Sequence, residues 1–184
     1  MRTIIVALFA VAILFFAAGA TAQTPAVQTD LDPAVLAYTT TIKHLDLNIP
    51  LDRRLVTGFM DQLVSATEGL AIGREVKDEQ FFARIRRERQ ALRQFADMPL
   101  AEQGREQKGH QLFNGTAQLL RDLDRKLGPN SKAKAAIEAV DRSARSLNSE
   151  APLRWQPDNV EQFLRLGGEA LRELNDVPRA PPRR

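Results

Sequence analysis

At 184 residues the chain is long enough for one well-filled core and too short for two ordinary domains. It has no cysteine, which excludes disulfide staples, zinc–thiolate sites and thiol chemistry and leaves side-chain burial as the source of stability. Its formal net charge of +3 is not the excess that nucleic-acid binding calls for.

The first residues read as an export signal. Arg2 precedes an apolar run from Ile4 to Ala18, and Gly19-Ala20-Thr21-Ala22-Gln23 supplies small residues before a polar stretch. The run is shorter than the ~20 residues a membrane-spanning helix needs. Cleavage is expected after Ala22, with a cut after Ala20 or retention as a membrane anchor as the alternatives. A signal over residues 1–22 and a disordered linker over 23–31 would then precede a helical domain at 32–176.

Helical periodicity begins at Asp32-Pro33, a cap followed by proline at the first helical position, and continues through Val35, Tyr38, Ile42 and Leu45 to a stop before Pro50. A second stripe starts at Asp52 and shows Val56, Phe59, Leu63, Ala66 and Leu70, widened by Met60 and Val64. The third starts near Asp78 with Phe81, Ile85, Leu92 and Phe95, and Pro99 interrupts the stretch beyond it. The fourth is clearest from Leu112 through Thr116, Leu119 and Leu123 to Leu127, ending at Gly128-Pro129. The fifth begins at Asn130 or Ser131 and carries Ala133, Ile137, Val140, Ala144 and Leu147. A loop over 148–157 holds the single tryptophan, and Gly167-Gly168 is expected to interrupt a last helix bearing Val160, Leu164, Leu171 and Leu174. No alternating β-branched run competes, so the fold class is all-α, an up-and-down bundle of five to six helices. The residues from Val177 to Arg184 hold three prolines and three arginines and are expected to form a disordered tail.

The third helix carries the main irregularity. Continuing its stripe places Glu88 on the apolar face, among Arg84, Arg86, Arg87, Arg89 and Arg93. A buried carboxylate must be paired or protonated, so Arg84, Arg87, Glu88 and Arg89 form a candidate anion-binding site or buried ion pair. The plainer expectation is that the helix rotates slightly and these side chains pack their stems while their heads stay in water. Within-helix pairs are expected between Arg84 and Glu88, Asp122 and Lys126, and Glu161 and Arg165. The two histidines, His44 and His110, have no second ligand at metal-helix spacing, so no metal and no cofactor is expected. Asn114-Gly115-Thr116 matches the N-glycosylation triplet by pattern. Pro178, Arg179, Pro181 and Arg183 form a candidate polyproline interaction tail.

No run of residues demands a particular reaction, and catalytic residues are expected to be none. The composition fits a non-enzymatic, exported envelope protein, periplasmic or secreted, that binds a protein partner, client or envelope surface. Two other classes stay open. The chain is similar in class to exported chorismate mutases, which are all-helical, of comparable length and preceded by signal peptides. That likeness would imply electrostatic positioning of a dicarboxylate, yet Arg84, Arg87 and Glu88 do not align with that family's spaced arginine–lysine–glutamate pattern, so no residue is carried over. A haem or metal-binding four-helix-type bundle would have to use Met60 or Met98 with a histidine, although methionine on an apolar stripe is ordinarily core filler.

Overall fold

A computed structural model describes residues 53–99, 104–128, 130–149 and 156–178. The proposed signal, the helix expected at 32–49, His44 and Trp155 lie outside these residues. Among the described residues there are five helices and no strand, packed as an all-α bundle.

Helix α1 spans Arg53–Gly73 and buries Val56, Met60, Leu63, Val64 and Leu70. Thr57 and Thr67 share that face, and each satisfies its hydroxyl by donating to the carbonyl one turn back, of Arg53 and Leu63. The helix ends at Gly73, and its cap closes over the residues just beyond. Glu75 takes the left-handed position at φ 57°, its N–H bonding the Ile72 carbonyl while Val76 N–H bonds that of Ala71. That pairing is a Schellman cap, here closed by a residue with a side chain instead of glycine.

Helix α2 is Glu79–Asp97. Its cap is Asp78, whose carboxylate accepts from Phe81 N–H at 2.9 Å, and Phe81, Ile85, Leu92 and Phe95 are buried as the stripe predicts. Helix α3, Arg105–Leu127, starts a full two turns before Leu112, where its apolar periodicity becomes visible, and stops at Gly128 with φ 102°. Helix α4, Ser131–Ser149, is capped by Asn130, whose Oδ1 accepts from Lys132 N–H at 2.9 Å and more weakly from Ala133 N–H. Asn148 and Ser149, expected in a loop, continue it. Helix α5, Pro157–Asn175, uses Pro157 at its start and runs through Gly167-Gly168 without a break. Of the two ordinary readings of such glycines, a helix end or close helix packing, the second applies: a Cβ on Gly167 would lie 2.6 Å from Leu63 Cδ2.

Cross-helix contacts fix the directions. Arg53 reaches the Phe95 carbonyl and Arg89 reaches Asp61 and Glu68, so α1 and α2 are antiparallel. Lys126 meets Asp78 and Arg84 meets Asp122, which makes α2 and α3 antiparallel as well. Arg121 with Asp141 and Asn114 with Asn148 give the same relation for α3 and α4. Asn130 beside the Glu173 carbonyl continues it to α5. Leu63 against Gly167 and Arg74 on the Val177 carbonyl then set α1 and α5 side by side and parallel. Helix α3 is central and packs against all four others. Its Phe113 meets Phe163 of α5 edge to face at 5.0 Å, and Leu119, Leu120 and Leu123 are fully buried. No described helix is long and apolar enough to cross a membrane.

Candidate functional site

The arginines of α2 divide into two sets by the pitch of the helix. Arg84 and Arg89 flank the buried stripe and reach sideways to neighbouring helices. Arg84 bonds Asp122 of α3, a carboxylate only 4% exposed that also receives Arg125 and the Gln118 amide. Arg89 forks between Asp61 at 2.9 Å and Glu68 at 3.2 Å on α1, and these partners hold its guanidinium above its ordinary pKa. Arg86, Arg87 and Arg93 are exposed, with Arg86 at the limit of pairing with Glu79, at 4.0 Å. Arg87 makes no ion pair among the described residues.

The four candidates therefore do not converge. Arg84 does not turn to Glu88 within its helix but across to Asp122, and Lys126 likewise leaves Asp122 for Asp78. Arg165 pairs with Glu169 rather than Glu161. The first two pairs cross between helices, while Glu169 stands at the same four-residue spacing on the other side of Arg165.

The Glu88 head is turned inward, contrary to the plainer expectation. Its carboxyl lies over Gly115 of α3, so close that a Cβ there would sit 2.6 Å from Oε1 and nearer still to Oε2. Thr116, itself 1% exposed, donates its hydroxyl to Oε1 at a long 3.4 Å. Burial pushes the Glu88 carboxyl up to about 7, against the opposing pull of the Thr116 hydroxyl and the Arg84 charge. The glycosylation triplet is thus split: Asn114 is exposed and bonded to Asn148 at 2.8 Å, while Gly115 and Thr116 form the carboxyl's seat.

Two hollows accompany these helices. A cleft of about 420 Å³ between α3 and α4 is lined by Arg121, Asp124, Arg125, Lys134, Ile137 and Asp141. Burial raises the pKa of both Asp124 and Asp141 there, against the pull of Lys134 on the first and of Arg121 and Arg145 on the second. A smaller hollow of about 250 Å³ at one end of the bundle is bordered by Arg74, Glu75, Lys126 and Pro178, beside the 2.6 Å bond from Arg74 to the Val177 carbonyl. Val177, assigned by sequence to the tail, is buried, whereas Arg179, Pro181 and Arg183 lie outside the described residues.

Met60 and Met98 are buried core side chains, and His110 Nε2 is buried without a hydrogen-bond partner among the described residues. No group of three or more metal-ligating side chains is assembled among those residues. Sequence reasoning passes over Asp61 and Glu68, and reads Asp122 only as a partner of Lys126 and Gly115 only as part of a glycosylation triplet. Asp122 alone carries a signal, standing three residues after Leu119 and within the width of the buried stripe.

Comparison with protein-family models, curated proteins and solved structures finds no match to this chain.

Proposed function

We propose that the chain is an exported, non-enzymatic helical-bundle protein of the bacterial envelope that binds an acidic partner protein or envelope surface through α2, with the tail around Arg179, Pro181 and Arg183 as a second contact. The observation that carries this reading is the division of labour on α2. Arg84 and Arg89 are consumed in holding the bundle together, while Arg86, Arg87 and Arg93 stand on its outer side. Guanidinium groups in that position present planar, two-pronged donors suited to carboxylates and phosphates. Export rests on the Arg2, Ile4-to-Ala18 and Ala20-to-Ala22 pattern.

The test uses tagged full-length protein recovered from an envelope extract, beside an R86E/R87E/R93E variant and a form lacking Pro178 to Arg184. A partner retained by the parent and weakened at least about tenfold in the triple variant is the expected result. Retention of the same proteins by all three forms would overturn the assignment of the binding face. Mass measurement of the recovered chain should begin at Gln23; a chain beginning at Met1 would overturn cleavage.

A further inference from the structure

We propose that the Glu88 seat on Gly115 makes the α2–α3 seam a pH-responsive device, closed while the carboxyl carries its proton and loosened when the proton leaves. The seat lies in the middle of both helices, where the backbone N–H groups of α3 are spent on its own turns. An ionised carboxylate there would find the long Thr116 hydroxyl contact and the charge of Arg84, whose guanidinium is already committed to Asp122. Its relief is to swing into water, and the vacated gap is the space left by the absent Cβ of Gly115.

Helix α2 packs against α1 and α3. On the α1 side Asp61 and Glu68 are held by Arg89; on the α3 side Asp122 is held by Arg84 and Arg125, and His110 lies further toward the start of the helix. Arg84 is the charged group that bears on Glu88. The sign follows from linkage. The closed form binds the proton up to about pH 7 and the opened form releases it near 4.5, so closure is favoured most at low pH. Closure weakens as pH rises between those values and is then level.

Native-state amide exchange on the full chain, corrected for the intrinsic effect of pH, tests this with parent, E88Q and G115A proteins. In the parent the opening of α2 and α3 amides should rise by roughly tenfold per pH unit between about pH 5 and 7. It should be flat in E88Q, which stays neutral, and in G115A, whose methyl displaces the carboxyl at every pH. Both variants keep His110 and the other charged groups of the seam, so a slope lost in both belongs to Glu88 and its seat. A parent without the rise, or an E88Q protein with the same slope, would overturn the proposal. Carbon-13 titration of the parent's Glu88 carboxyl gives an independent reading: a midpoint near 7 supports the device, and one near 4.5 removes it.

Discussion

Gly115 and Gly167 both sit in helix interiors, where alanine would ordinarily be favoured by ~0.5–1 kcal/mol, yet their missing Cβ atoms serve different neighbours. At Gly167 the neighbour is Leu63, 1% exposed and enclosed by core. At Gly115 it is the far end of the Glu88 side chain, which has water to retreat to. The same substitution should therefore act in opposite senses. G167A is expected to lower stability by ~1–3 kcal/mol, while G115A at pH 8 should be neutral or stabilising by up to ~1 kcal/mol. Thermal melts of the two variants side by side decide it, and a G167A protein melting with the parent would show that Leu63 has room to move. Glu88 also marks where sequence reading stops. The stripe of α2 correctly places it on the inner face, but whether its head is in water depends on a glycine 27 positions later on another helix.

Helix ends were legible where a side chain closes them and obscure where the backbone does. Asp78 and Asn130 announce α2 and α4, and Gly128 announces the end of α3. The start of α3 carries no such sign. Gly104 stands there with φ 77° and no side-chain cap, and Arg105 to Gln111 hold no large apolar residue to mark a stripe. At the end of α1 the glycine is in the wrong place: Gly73 is helical and the left-handed residue is Glu75. A side chain at that conformation costs roughly 1 kcal/mol. E75G is therefore expected to raise stability by about 0.5–1 kcal/mol in chemical denaturation. A loss of stability would mean that the exposed glutamate contributes something its backbone geometry does not reveal.

At the scale of the molecule, the fold class follows from the stripes, since the five that fall on described residues turn inward, with Phe59, Ala66 and Leu127 only partly buried. The cross-ties do not. Ion pairs within a helix can be counted along the chain, but Arg84, Lys126 and Arg89 choose carboxylates on other helices, and that choice depends on register, which no single stripe contains. Because α3 touches each of the other four described helices, damage there should spread. L123A, at a fully buried position, is expected to cost ~2–5 kcal/mol and to lower protection in all five helices together rather than in α3 alone. Loss of protection confined to one helix would contradict a single shared core.

Among the described residues the helices number five, and an odd number has a geometric effect. With α1 and α5 parallel, Arg53 stands at one pole of the described bundle and Pro178 at the other. A helix of 21 residues separates those poles by about 30 Å. An even-numbered bundle would return both ends to one side. Within the described residues this bundle is therefore a spacer, with Arg53 and Pro178 standing a helix length apart.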